Sequence, residues 1–188
     1  MSIQVYYEAT PNPQSMKFYT TEFIANETVS IPDHTKAARS PLAQKLFGFP
    51  WMDGVLIGPN FVTVTKQDWV DWQTLAEPLS ELIREHLEMK LPVLVDIEDS
   101  LSPDLRGDIL DSDSEEIKQI KTILNTEIRP AVAMDGGDIQ FHKYEDQIVY
   151  LHMQGACAGC PSSMMTLKDG IEVRLKEHMP QIKEVVAI

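Results

Sequence analysis

The sequence of 188 residues has few cysteines, few basic residues and no long apolar run. Its 16 Lys and Arg residues stand against 29 Asp and Glu residues, which gives a formal net charge of -13. A field of that sign repels the phosphates of nucleic acids and the anionic surfaces of membranes, so we expect neither as a partner. No segment approaches the roughly 20 apolar residues that a transmembrane helix needs.

The start of the chain also lacks the marks of a targeting segment. Residues 1–7 have neither the positive start and apolar block of a signal peptide nor the Arg-rich pattern of a transit peptide. The only two cysteines, Cys157 and Cys160, form one Cys-x-x-Cys motif. Without an export signal, this motif favours metal or redox chemistry over a structural disulfide, and we expect a reducing, cytoplasmic location.

The composition that is present fits a folded protein of one or two domains, with 43% hydrophobic and 24% charged residues. Between Asp96 and Glu116, nine acidic residues stand against the single Arg106, which predicts a solvated, flexible linker. We therefore predict an N-terminal domain at 1–93, an acidic linker at 94–113 and a C-terminal domain at 114–188. The predicted fold class is α+β, with two small mixed α/β domains.

The N-terminal half alternates strand and turn signals before one helical pattern. Strands are predicted at residues 3–8, 16–19, 55–57 and 61–65. Apolar residues then recur at helical spacing from Trp69 to Ile83, and Pro78 is expected to kink or split that helix. We interpret the Trp-containing stripe as core packing and not as a cofactor site.

The C-terminal half is typical of a helix, a hairpin, a second helix and a last strand. The first helix is predicted to be capped by Ser112 or Asp113 and to end or bend at Pro130. An Asp-Gly-Gly-Asp turn follows at residues 135–138. The later elements are predicted as strands at 139–143 and 148–153, a helix with apolar positions from 164 to 175, and a strand at 183–188.

The chemistry is concentrated in residues 155–163, Gly-Ala-Cys-Ala-Gly-Cys-Pro-Ser-Ser. The two-residue spacing lets both sulfurs point to one side of a tight turn, and Gly155 and Gly159 allow the backbone to curve around a bound group. Pro161 suits the first position of a helix, so we predict that Cys157 and Cys160 lie at a helix N-terminus. The helix dipole there favours thiolates and an anionic cluster.

Zinc and iron-sulfur centres normally take four protein ligands, and this chain offers two thiolates. A second copy of the chain supplies the other two most economically, across a two-fold axis beside the loop. Soft thiolates select iron-sulfur clusters, zinc or cuprous copper over hard cations. A cluster held at such an interface can pass to another protein by ligand exchange, which suits a carrier.

Several motifs together resemble a known family. Residues 135–139, residues 155–163 and the run Thr-Leu-Lys-x-Gly-Ile-Glu at 166–172 closely resemble the C-terminal domain of the NifU family, also called Nfu. The Thr-Pro-Asn-Pro turn at 10–13 resembles the N-terminal domain of Nfu scaffold proteins, together with residues 17–18, 40–43, 46–47, 53–55 and 61–66. The resemblance spans all of the chain except the linker.

The resemblance implies a protein without catalytic turnover that binds a labile iron-sulfur cluster and delivers it to apo-proteins. Cys157 and Cys160 fall on the ligand positions of the family, with 4Fe-4S as the expected cluster and 2Fe-2S as the alternative. The implied partners are upstream assembly machinery, apo client proteins and a second copy that joins on cluster binding. The longer nitrogen-fixation relatives carry further scaffold and ferredoxin domains, so transfer or storage is expected here.

Two other function classes stay open from the residues alone. A dithiol-disulfide oxidoreductase also places Cys-x-x-Cys at a helix start, although the order of elements here differs from the thioredoxin pattern. A zinc-stabilised interaction module is the second, and in it His142 and His152 are candidate nitrogen ligands beside the sulfurs. We favour ordinary strand histidines for these two, and turn formation over acid-base chemistry for Asp135 and Asp138.

Overall fold

The computed structural model describes residues 3–95, 108–159 and 161–188. The chain divides into two compact units, Met1–Glu98 and Asp99–Ile188. Both units combine helices with a sheet, which confirms the α+β fold class. The limits of the acidic linker stay a prediction, because residues 96–107 lie outside the described residues.

The N-terminal unit is built on a five-stranded antiparallel sheet with the order β1-β2-β5-β4-β3. The strands are β1 (Val5–Ala9), β2 (Ser15–Thr20), β3 (Val29–Ile31), β4 (Met52–Ile57) and β5 (Phe61–Lys66). Valine, isoleucine, threonine and aromatic residues dominate the strands, and they suit a pleated, half-buried surface. The predicted β4–β5 hairpin is confirmed, and β3 is an addition that the sequence patterns missed.

The helices of this unit are a 3₁₀ turn (His34–Arg39), α1 (Pro41–Leu46) and α2 (Trp72–Glu88). The carboxylate of Asp71 accepts a hydrogen bond from the Gln73 N–H and thereby caps α2. Trp69 precedes this cap and is 65% exposed, so its placement in the apolar stripe was wrong. The helix also runs through Pro78 without a break, because its apolar face is buried against the sheet.

The C-terminal unit carries a three-stranded sheet with the order β6-β7-β8. Its elements are α3 (Glu115–Ile123), a π-helical segment (Leu124–Ile128), α4 (Arg129–Met134), β6 (Gly137–Glu145), β7 (Ile148–Gly155), α5 (Pro161–His178) and β8 (Glu184–Ala187). Strands β6 and β7 form the predicted antiparallel hairpin. Asp146 and Gln147 both have positive φ, as a two-residue type I′ turn requires. Strand β8 returns parallel to β7 after α5.

The first helix of this unit begins and bends differently from the prediction. Its cap is Ser114, because the Asp113 carboxylate already accepts from the Leu110 N–H and the Lys121 ammonium. The helical path continues past Pro130, with a π segment directly before α4. Proline lacks an N–H and crowds the carbonyl four residues back, so the preceding turn widens instead of ending.

A single apolar cluster fills the C-terminal unit, and Cys157 belongs to it. Its members come from α3, α4, both hairpin strands, α5 and β8, so the core itself holds Cys157. In residues 3–95, 108–159 and 161–188, no helix is both long and apolar enough to cross a membrane.

Candidate metal centre

The loop that carries Cys157 connects β7, which ends at Gly155, to α5, which begins at Pro161. Gly155 and Gly159 have φ values of 61° and 80°, a region that side chains rarely adopt. The Ala158 N–H donates to the Gly155 carbonyl at 3.1 Å, which closes a tight turn between them. The curvature predicted for these glycines and the helix start predicted at Pro161 are both observed.

The Asp-Gly-Gly-Asp turn lies directly against this loop. Gly137 pairs with Gly155 at the end of the hairpin, and the Ala156 N–H donates to the Gly136 carbonyl at 3.2 Å. A Cβ atom built on Gly137 would lie 2.1 Å from the Cys157 Sγ. The two motifs therefore form one structural unit, in which the absence of a side chain at Gly137 makes the place for the sulfur.

The thiol of Cys157 lies in a buried and electronegative environment. The residue is 6% exposed, and burial raises its pKa to about 12, helped by the charges of Asp135 and Asp138. The expectation that the helix end favours the thiolate was thus wrong for this cysteine in the metal-free protein. Desolvation of the charged form is the largest cause of the shift, whereas the effect of a helix dipole is in general modest and fades within one turn.

The protonated state of Cys157 bears on the alternative functions. A dithiol oxidoreductase needs a thiolate nucleophile at neutral pH, which requires a lowered pKa. A metal ligand does not need one in advance, because an incoming metal displaces the proton. The raised pKa of Cys157 therefore does not supply the thiolate that a redox nucleophile needs.

Cys160 lies outside the described residues. Its role as the second ligand, and with it the ligand pair Cys157 and Cys160, stays a prediction.

An ion pair supports the base of this site, and sequence reasoning missed it. The Arg129 guanidinium binds the Asp138 carboxylate through two hydrogen bonds of 2.8 and 2.9 Å, and the Asp138 side chain is only 4% exposed. The pair joins α4 to the first residues of β6 and so stabilises the Asp-Gly-Gly-Asp turn, which lies against the Cys157 loop. Asp138 is engaged structurally, and Asp135 is exposed.

The two hairpin histidines lie close to each other but apart from the thiol. The ring centroids of His142 and His152 are 4.9 Å apart. Across the described part of the chain, no three His, Cys, Asp or Glu side chains come together as a metal-binding group. The structure therefore does not bring both histidines together with Cys157.

Two family models match the chain and together cover most of it. The model described as NifU-like domain matches residues 120–186. The model described as Scaffold protein Nfu/NifU N terminal matches residues 5–90.

Curated relatives match almost the whole chain. A protein of Drosophila sechellia named "NFU1 iron-sulfur cluster scaffold homolog, mitochondrial" is 38% identical over 186 residues, which is 98% of this chain and 64% of that protein. The Homo sapiens protein of the same name is 38% identical over 178 residues, 94% of this chain and 68% of that protein. The chain thus spans less than two thirds of the Drosophila sechellia relative.

A solved structure is also similar. The solution NMR structure of a NifU-like protein from Saccharomyces cerevisiae has 24% sequence identity and a TM-score of 0.45, and it covers 50% of this chain and 87% of that one.

Proposed function

This chain belongs to the Nfu family of NifU-like proteins, and we propose that it binds a labile iron-sulfur cluster and transfers it to apo-proteins without catalytic turnover of its own. The observation that carries the proposal is the position of Cys157. The Cys157 Sγ packs against Gly137, in the tight loop between β7 and α5. The core holds this soft ligand in place, and the loop beyond it leads to Gly159, which is exposed.

We expect the cluster to be shared between two chains. Cys157 and Cys160 supply two thiolates, and four-iron and two-iron clusters normally take four protein ligands. A second copy related by a two-fold axis supplies the other pair, so cluster binding should create a homodimer. We propose 4Fe-4S as the cargo, with 2Fe-2S as the alternative.

Loading and release then follow from ligand exchange. Each thiol gives up its proton when its sulfur binds iron, and it regains a proton when a thiolate of the client protein replaces it. Cys157 is buried and its pKa is raised to about 12, so its thiol is less open to oxidants than an exposed thiolate.

The partners of this function are an upstream cluster donor and apo forms of iron-sulfur proteins. The chemistry requires a reducing compartment, because disulfide formation would remove the ligands. We propose the cytoplasm as the location, although the matched relatives from Drosophila sechellia and Homo sapiens are named mitochondrial.

Anaerobic reconstitution with iron and sulfide tests the proposal. We expect one four-iron cluster per two chains, with Mössbauer spectroscopy to identify the cluster. Cys157→Ala and Cys160→Ala should each abolish binding while the helices and strands remain, because the apolar cluster of the unit is made mostly of other residues from those elements. Val173→Ala, at a 60% exposed position of α5, is the matched control and should load normally.

Three outcomes would contradict the proposal. Zinc as the only bound metal, with loss of folding in Cys157→Ala, would point to a structural zinc module. A colourless monomer with reversible dithiol oxidation would point to an oxidoreductase. Sizing chromatography under argon tests the shared cluster, since a monomer that holds a complete cluster with no outside thiol would rule out sharing.

A further inference from the structure

The hairpin of the C-terminal unit contains a β-bulge that the proposed cluster function does not use. Gln140 pairs with His152 and Phe141 with Leu151, but the next pair is Lys143 with Tyr150, so His142 is the extra residue. Phe141 stays in the core, while the Lys143 ammonium lies 4.7 Å from the centre of the Tyr150 ring.

The bulge brings His142 beside His152, which follows Leu151 on β7 and pairs with Gln140. Their ring centroids are 4.9 Å apart with an interplanar angle of 68°. His142 is exposed and His152 is partly exposed, so solvent and dissolved ions reach the pair. Bulges often re-aim a side chain at functional positions.

The separation of the two rings suits a shared metal ion. An ion bonded at about 2.0–2.1 Å to one nitrogen of each imidazole lies about 3.2 Å from each ring centre. A bond angle at the metal between about 90° and 109°, as octahedral or tetrahedral sites require, then places the ring centres about 4.5–5.2 Å apart. The observed 4.9 Å falls inside that interval, so the separation of the two rings is compatible with one shared ion.

The charges around the pair do not oppose a cation. The nearest basic neighbour along the strand, Lys143, is paired with the Glu145 carboxylate at 2.5 Å. The chain as a whole carries a formal charge of -13. A divalent ion therefore meets no uncompensated positive charge from this strand.

We propose that His142 and His152 form a surface site for one divalent first-row transition-metal ion, separate from the Cys157 loop and completed by water. Imidazole nitrogen suits copper, nickel, zinc and iron better than magnesium or calcium, which prefer oxygen ligands. The affinity should rise from cobalt through nickel to copper and be lower again for zinc.

Nickel titration of the full chain carrying Cys157→Ser and Cys160→Ser tests this site without competition from thiols. Calorimetry should show one ion per chain, and His142→Gln or His152→Gln should each weaken binding by about tenfold or more, because the second ligand of a chelate acts at high effective concentration. His34→Gln, at an exposed histidine of the 3₁₀ turn, is the matched control and should stay within about twofold.

A second readout keeps the test valid if a glutamine variant fails to fold. In the chain with both histidines present, paramagnetic copper should broaden the ring signals of His142 and His152 in NMR spectra before those of other histidines. Earlier broadening elsewhere would overturn the proposal. Unchanged nickel affinity in either folded glutamine variant, or no binding of nickel at millimolar concentration, would overturn it too.

Discussion

The N-terminal unit and the C-terminal unit use their irregular features differently. The five-stranded sheet of the N-terminal unit is regular apart from one register shift between Met52 and Gly54. The described residues of the C-terminal unit form three strands, and they also contain a π segment, a bulge after Phe141 and the buried thiol of Cys157. π segments and bulges cost regular hydrogen bonding and are common at functional sites. These irregular features of the C-terminal unit therefore occur in the same unit as Cys157.

The units also differ in the polar groups that they bury. The C-terminal unit buries the ion pair of Lys121 with Asp113, and it also buries Asp138, which pairs with the partly exposed Arg129. The N-terminal unit buries His86, whose ring nitrogen Nε2 lies 3.1 Å from the Pro92 carbonyl oxygen. Removing one member of a buried ion pair leaves the other charge buried without a partner. We therefore expect substitutions of buried polar residues to lower stability more in the C-terminal unit than in the N-terminal unit.

Matched core truncations should have the largest effect and test whether the units are energetically separate. Leu46→Ala in the N-terminal unit and Leu151→Ala in the C-terminal unit each remove a fully buried side chain. Each should lower the free energy of unfolding of its own unit by about 2–5 kcal/mol, as measured by urea denaturation. Only Leu151→Ala should reduce iron loading. Equal loss of iron in Leu46→Ala would break the comparison.

Gly137→Ala should have the next largest effect. It tests whether the absence of a side chain at Gly137 positions the Cys157 sulfur. The added Cβ would meet the Cys157 Sγ at 2.1 Å, so the loop must shift. We expect a cost of about 1–3 kcal/mol, as for overpacking, and weaker cluster retention under anaerobic chelator challenge.

Gly170→Ala is the control for this change, because its added Cβ meets no atom within 4 Å apart from its chain neighbours and the nearby backbone of its own helix. This substitution in the interior of α5 should stabilise the helix by about 0.5–1 kcal/mol and leave loading unchanged. Normal cluster retention in Gly137→Ala would mean that the close contact does not position Cys157.

His86 should make the N-terminal unit sensitive to acid. Burial lowers the pKa of this histidine, with the charge of Lys45 adding to the effect and the hydrogen bond to the Pro92 carbonyl opposing it. The unfolded chain therefore binds the proton more readily than the folded unit. The contribution of neutral His86 to the free energy of unfolding is fully present above about pH 6.5, the ordinary pKa of histidine. This contribution is lost as the pH falls through the folded pKa, by at most about 1.4 kcal/mol per pH unit.

Urea denaturation of the N-terminal unit between pH 7.5 and pH 5 measures this loss. His86→Gln should flatten the dependence, whereas His34→Gln should leave it as it is. An identical slope in His86→Gln would assign the acid sensitivity to other groups.

Asp135→Ser should have the smallest effect, and it concerns the thiol alone. Asp135 is exposed, and its charge contributes to the raised pKa of Cys157 after burial, the larger cause. Removing the charge should speed alkylation of Cys157 in the apo-protein at pH 9 by less than about tenfold, because burial remains. Mass mapping distinguishes this thiol from Cys160. Asp146→Asn in the hairpin turn is the control, and a rate equal to that of Asp135→Ser would contradict the assignment.

The patterns in the sequence predicted most elements because those patterns are local. The spacing of Leu167, Ile171 and Leu175 indicates a helix whatever surrounds it. Prediction failed where a distant partner intervened. Asp113 does not cap α3, because Lys121 and the Leu110 N–H bind its carboxylate. Pro78 does not split α2, because burial of one helix face stabilises it.

The candidate site also has some features that the sequence predicted and others that depend on the folded structure. The Cys-x-x-Cys motif, its glycines and the helix start at Pro161 were visible as sequence, and so was the resemblance to the family. The pKa direction of Cys157 was predicted wrongly, since the helix end is a local feature and the burial that raises the pKa is not. The partner of Asp138 was missed, since Arg129 lies nine residues earlier in the chain.

The sequence by itself determined the types of element, the α+β class and the pair of sulfurs, because hydrophobic periodicity and motif spacing act over a few residues. Only the tertiary structure decided that Gly137 lies under the Cys157 sulfur and that His142 lies beside His152. Strand pairing and core burial set those contacts, and both depend on residues that come together only when the chain folds.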